Sequence, residues 1–160
     1  MKKYYLAYGS NLNIPQMYHR CPTARIVGTA ELKGWELLFK GSKTGSYLTI
    51  EQKADGVVPV AVWAVYEADE AFLDRYEGYP TFYYKKDIKI DCRMLERDGF
   101  DYRYTGEVED LDSFVYIMHE NRPIGVPSNY YMNVCIEGYR AFGFDIAYLW
   151  DAYDRSRRAV

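Results

Sequence analysis

The chain lacks most of the features that mark the large function classes. Its 160 residues contain no apolar run of about 18 residues, so no membrane-spanning helix is expected. The opening "MKKYYLAYGSNL" carries two lysines, but the apolar run behind them is too short for a secretory signal. Cysteine is scarce. Cys21, Cys92 and Cys135 are odd in number and irregular in spacing, which argues for reduced thiols and against a disulfide framework. A cytoplasmic protein is the expectation. Histidine is limited to His19 and His119. His19 and Cys21 have no second pair at ligand spacing, so no metal is expected. Positive charge is not in excess: 20 Lys and Arg against 23 Asp and Glu give a net charge of -3. That argues against a nucleic-acid or anionic-membrane partner held by bulk charge. "GSKTG" lacks the glycine spacing of a phosphate-binding P-loop and reads as a loop. No Ser-His-Asp arrangement is legible. There are no repeats, low-complexity segments or linkers, and residues 1–160 are expected to form one domain.

Tyrosine, in contrast, is abundant, with eighteen copies. Its apolar body and polar tip suit half-wet cavity walls and interfaces. Stacking of single-stranded bases is the other use of exposed aromatics, and the acidic balance weighs against it.

Along the chain, Lys3 to Tyr8 reads as a strand. Asn13 to Arg20 reads as a short helix with Pro15 in its first turn. "ARIVGTAEL" and "WELLFKG" are two β-like runs split at "KG". "SYLTIEQ" and "VVPVAVWAVY" are strands separated by "KADG", a turn signal. The second of these is apolar nearly throughout, so burial on both faces is expected. Glu67 to Gly78 has helical spacing, with Gly78 suited to the C′ position and Pro80 stopping continuation. "FYYKKDIKID" and "SFVYIM" are further strands. Between them, residues 92–112 are polar and charged, and read as an extended hairpin or a long loop. "PSNYYMNVCIEGYRAFG" predicts a helix ending near Gly138 or running on to Gly143, and "DIAYLWDAYDRSRR" a last one. Strands fill the middle and helices come late. This predicts an α+β fold with a mixed or antiparallel sheet curled into a small barrel.

Two local features could carry chemistry. Asp69 and Glu70 sit where the helix dipole favours negative charge, but Glu77 sits at the opposite end. It also shares a side with Leu73, which is expected to face the core. Both effects raise a carboxyl pKa toward the range of a general acid/base. The plainer alternative is a frayed last-turn glutamate in water. The "YGSN" turn likewise has two readings. It is a simple connection, in which Gly9 permits positive φ, or a backbone nest whose N–H groups hold an oxyanion or carboxylate. Cys135 lies in an apolar helical pattern and reads as core.

Taken together, these segments resemble the γ-glutamylcyclotransferase family, including its AIG2-like and BtrG-like members. "YGSNL" matches the family's signature turn after the first strand. "LDRYEGYP" matches the segment with the catalytic glutamate, here Glu77. "PSNYYMNVCIEGYRAFGF" is similar to the late Pro-Ser-x-x-Tyr helix with its trailing glycine. The three occur in the family's order between residue 4 and about residue 150, with "GVVPVAVWAVY" at the expected place before the helix. The resemblance implies a small mixed β-barrel with flanking helices and a cavity at one mouth. It implies release of 5-oxoproline from a small γ-glutamyl amine or peptide, with Glu77 as acid/base and no cofactor. Tyr8, Gly9, Ser10, Asn11 and Leu12 match the family's cavity loop. A tyrosine shortly after the glutamate lines the family's site. Tyr84 fits by its parity with Ile88 and Ile90, and Tyr83 is the rival by a one-residue slip. Tyr131 matches the helix tyrosine, with core packing as its alternative. A binding module on the same fold without turnover is the competing function, and the retained Glu77 argues against it. A monomer and a homodimer are both compatible with the sequence.

Overall fold

The apolar run ending at Val65 forms the middle of the structure. The computed structural model describes residues 2–42 and 45–160, so Lys43 and Thr44 of the expected "GSKTG" loop lie outside the described residues. Five strands run in the chain order β1 (Lys3–Ala7), β2 (Arg25–Ser42), β3 (Gly45–Val65), β4 (Tyr83–Asp98) and β5 (Asp101–Met118). Their spatial order is β1-β3-β2-β4-β5. The neighbours pair antiparallel. β1 also meets β5 through a parallel pairing, Tyr5 with Phe114, which closes the sheet. β3 lies between β1 and β2, and every residue from Val58 to Val65 is buried. That is the behaviour expected of a strand covered on both faces.

Four helices flank the sheet: α1 (Ile14–Arg20), α2 (Glu67–Tyr76), α3 (Asn129–Ala141) and α4 (Ala147–Ala159). Their starts follow local chemistry. Asn13 caps α1, its side chain accepting from Gln16 N at 3.3 Å, and Pro15 sits in the first turn. Asp69 caps α2 by accepting from Tyr66 N at 2.9 Å. Ser128 caps α3 by accepting from Tyr131 N at 3.1 Å. α3 runs past Gly138 to Ala141, and Gly143 follows with φ 73°.

Two expected breaks are bulges. The "KG" split falls inside β2, and "KADG" falls inside β3. Gly34 and Asp55 adopt φ 87° and 65°, and the register shifts between Lys33 and Trp35. The two strands therefore kink together and stay paired, Lys33 with Val57 and Trp35 with Gln52. Residues 92–112 belong to a β4–β5 hairpin that turns at Gly99, where φ is 66°. Its far end is exposed, with Phe100 at the tip. The three cysteines are free and buried. Among the described residues no helix is long and apolar enough to cross a membrane.

Candidate active site

β1 delivers the chain into a single turn of 3-10 helix, Ser10–Leu12, at the mouth of a cavity of about 410 Å³. Leu12 N donates to Gly9 O and Asn13 N to Ser10 O, each at 3.0 Å. Those bonds close the turn. The N–H groups of Gly9, Ser10 and Asn11 make no hydrogen bond among the described residues, and all three residues line the cavity. Gly9 has φ -130°, so a positive φ is not what requires glycine here. The constraint is space: a Cβ on Gly9 would lie 3.2 Å from Tyr131 Oη. Leu12, expected on the wall, is instead fully buried behind it. Its N–H is used within the turn, which removes it from the donors a ligand could reach.

α3 holds this turn from behind. Tyr139 Oη donates to Tyr8 O at 2.8 Å. Asn13 Nδ2 donates to Val134 O at 3.2 Å and to Glu137 Oε2 at 3.1 Å. Between those anchors the backbone of Leu12 and Asn13 rests on Gly138, where a Cβ would come within 2.7 Å of both. The trailing glycine of the α3 motif is thus a contact point, not a helix end.

Glu77 is the C-cap of α2. Its N–H donates to Leu73 O at 2.8 Å, and Gly78 follows with φ 65° to turn the chain away. Its side chain lies on the cavity wall with Gly9, Ser10 and Asn11. The turn and the helix end are joined directly, since Ser10 Oγ lies 3.1 Å from Tyr76 Oη. The carboxyl group keeps access to the cavity, while protein encloses it elsewhere. Loss of hydration pushes its pKa up to about 8, and the positive charge of Arg20 pulls in the other direction. Burial is thus the cause of the shift in this structure.

Seven of the eighteen tyrosines stand on this one wall. Tyr8 Oη donates to Tyr116 O at 2.7 Å, and Tyr116 Oη to Asp74 Oδ1 at 2.6 Å. Tyr5 Oη accepts from Asn11 Nδ2 at 2.9 Å. Tyr131 Oη accepts from Leu48 N at 3.1 Å. Burial raises the pKa of Tyr5, Tyr8, Tyr83 and Tyr131 well above the ordinary phenol value. At neutral pH these are hydrogen-bonding walls, and Glu77 is the group beside them whose proton is exchangeable.

The expectation that Tyr84 points inward is corrected. Tyr83 lines the cavity, 5% exposed, with its Oη donating to Leu48 O at 2.8 Å. Tyr84 turns away, donating to Glu120 Oε2 at 2.5 Å with its ring against His119. The parity argument misled because Ile88 and Ile90 line a different cavity, of about 630 Å³, on the other side of β4. The face that buries Tyr83 is open further along, where Asp87, Lys89 and Asp91 are exposed, so burial does not keep to one side of the strand. Sequence reasoning also missed Tyr5, Tyr76, Tyr116 and Arg20. Their partners are set by the fold; the tyrosine excess was the only signal pointing toward the three tyrosines, and nothing pointed toward Arg20.

A closed sheet flanked by helices, with a buried carboxyl in a tyrosine-walled pocket, offers a site of small-molecule size. A family model described as "Gamma-glutamyl cyclotransferase, AIG2-like" matches residues 5–133. The chain belongs to that family and is an enzyme of the γ-glutamyl cyclotransferase class. No curated protein sequence matches it significantly. A solved structure named "Gamma-glutamyl cyclotransferase" superposes with a TM-score of 0.76 at 23% identity, covering 100% of this chain and 89% of the other. An uncharacterised protein from Homo sapiens gives 0.75 at 23%, covering 99% and 88%. A yeast γ-glutamyl cyclotransferase specific to glutathione gives 0.55 at 14%, covering 99% and 96%. At these identities the likenesses show the fold.

Proposed function

We propose that the protein cyclises a small γ-glutamyl amine or dipeptide to 5-oxoproline, with Glu77 as the proton-transfer group. The observation that carries this is the placement of one carboxyl, and of three turn N–H groups without a partner among the described residues, on a single cavity wall. The substrate's α-nitrogen attacks its own γ-carbonyl carbon. The new C–N bond closes a five-membered ring, and the bond to the leaving amine breaks. The α-nitrogen sheds two protons on going from ammonium to lactam N–H. Glu77 takes one from the ammonium and passes it to the departing nitrogen. The second, lost as the ring closes, also ends on the released amine, which leaves as its ammonium. No water is consumed and no redox change occurs. An α-amino group titrates at about 7.7–8.0. Glu77 at about 8 is closely matched to it, so proton transfer between them is nearly thermoneutral. Ring closure within one molecule supplies much of the remaining rate. The N–H groups of Gly9, Ser10 and Asn11 are suited to the negative oxygen, either the developing oxyanion or the α-carboxylate. Substrate access is limited by the tyrosine wall, with Tyr83 fixed to Leu48.

The experiment is to incubate the protein with γ-glutamyl amines and dipeptides, glutathione included, and to assay 5-oxoproline by mass spectrometry. Release from at least one is expected. Thermal stabilisation by the same compounds with no product from any of them would contradict cyclisation and favour a binding role.

Two further outcomes follow from the geometry. kcat/KM should rise with pH, because the carboxylate is the form that accepts the proton, and the rise should centre near pH 8. A profile already flat from pH 5 upward would contradict it. Tyr83→Phe removes the bond to Leu48 and should lower kcat/KM about tenfold, whereas Tyr84→Phe should stay within about twofold of wild type. Steady-state kinetics of the two variants side by side decides between the tyrosines.

A further inference from the structure

Arg20 ends α1 and is not on the cavity wall. Its guanidinium nevertheless holds three groups at once. Nη1 donates to Asn11 Oδ1 at 2.6 Å, and Nη2 donates to Gln16 Oε1 at 2.7 Å. The guanidinium carbon lies 4.0 Å from the centre of the Tyr76 ring. Two of these partners belong to the site. Asn11 is in the turn and passes the contact on to Tyr5. Tyr76 is bonded to Ser10 and immediately precedes Glu77. One cation thus ties the two halves of the site together from outside. We propose that Arg20 is a positioning residue that locks the Gly9–Asn11 turn and the Glu77 end of α2 into one geometry. This rests on Glu77 being the proton-transfer group.

The chemistry of the contacts explains why the position takes arginine. The guanidinium is a planar fork, so it can bond Asn11 and Gln16 while its face lies on Tyr76. An ammonium could keep the charge but not that three-way grip. The bonded partners are also neutral, and among the described residues no carboxylate forms an ion pair with Arg20. Its charge is left to act on Glu77, and it favours the carboxylate against the pull of burial. The other titratable groups whose charge couples to Glu77 are phenols: Tyr5 of β1, Tyr8 after it, Tyr76 of α2, Tyr83 of β4 and Tyr116 of β5. Each is held above the ordinary phenol value, so all are neutral where the enzyme works. Arg20 is therefore the cation that tunes this carboxyl as well as placing it.

The test compares wild type, Arg20→Gln, Arg20→Lys and Gln16→Ala in kcat, KM and a carbon-13 NMR titration of the Glu77 carboxyl. Arg20→Gln should lower kcat about 10- to 100-fold with KM little changed. Its Glu77 midpoint should move to higher pH. Arg20→Lys should return the midpoint toward wild type while kcat stays reduced, because charge is kept and the fork is lost. Gln16→Ala, which removes one acceptor far from the cavity, should lower kcat roughly threefold. It keeps the idea testable if Arg20→Gln does not fold. Wild-type kcat and midpoint in Arg20→Gln, or wild-type kcat in Gln16→Ala, would overturn the proposal. If wild type releases no 5-oxoproline at all, the cyclotransferase reading fails instead. The titration still decides the Arg20 question in that case, and an unmoved midpoint sinks it.

Discussion

Glu77→Gln is expected to lower kcat/KM by about 10³-fold while leaving the protein folded and, above neutral pH, more stable than wild type. The loss follows from the role: proton transfer by a positioned group contributes roughly 10²–10⁴-fold, and this carboxyl serves both transfers. The gain in stability follows from linkage. The folded pKa of about 8 lies above the ordinary glutamate value of 4.5. The folded state therefore binds the proton more tightly than the unfolded one. Below about pH 4.5 the group is protonated in both states and imposes no penalty. Between 4.5 and 8 the unfolded chain ionises first, so stability falls as pH rises, and above 8 the penalty is constant. Glutamine is neutral at every pH and escapes it. Because the cavity admits water, the penalty is discounted to about 2 kcal/mol. That corresponds to a melting temperature roughly 5 °C higher at pH 9 and unchanged at pH 4. Thermal denaturation at the two pH values, beside the kinetics, checks both halves. A variant equal to wild type in turnover, or less stable at pH 9, would count against a buried catalytic carboxyl.

The second large effect is expected at Gly138, which contacts no ligand. Gly138→Ala places a Cβ within 2.7 Å of backbone atoms of Leu12 and Asn13, and backbone cannot move aside as a flexible side chain can. α3 must retreat from the turn it braces. Overpacking of this kind costs about 1–3 kcal/mol. The melting temperature should fall by roughly 5 °C. The bonds from Tyr139 to Tyr8 and from Asn13 to Val134 lengthen together, so the N–H groups of Gly9 to Asn11 shift relative to Glu77. A displacement of about 1 Å is enough to lower kcat/KM about 10²-fold. Activity measured well below the melting point separates this from simple unfolding. A stable variant with full activity would show that the turn does not depend on α3.

What the sequence revealed was local. Pro15 in the first turn of α1 and Gly78 past the end of α2 each act within a few residues, and each was visible in order. Glu77 stood out because a carboxylate at a helix C-terminus runs against the dipole, although in the structure it is burial that raises its pKa. Features that depend on pairing were not legible. Gly34 and Asp55 read as breaks because a bulge and a turn use the same residues, and only the continued β2–β3 register distinguishes them. Tyr83 and Tyr84 could not be ordered by parity, because the buried side of β4 changes along the strand: Tyr83 is buried, yet Asp87, Lys89 and Asp91 of the same parity are exposed. Leu12 looked like part of the cavity loop because it adjoins Asn11, yet the 3-10 turn rotates it into the core. Arg20 had no mark at all, because its importance lies in two neighbours brought together by folding.

The most direct test of the account is a structure of Glu77→Gln with an intact γ-glutamyl substrate. The account predicts that the side chain at position 77 lies about 3 Å from the substrate's α-nitrogen. It also predicts that a γ-carbonyl or α-carboxylate oxygen faces the N–H groups of Gly9, Ser10 and Asn11. A substrate bound with its glutamyl end away from both would contradict it.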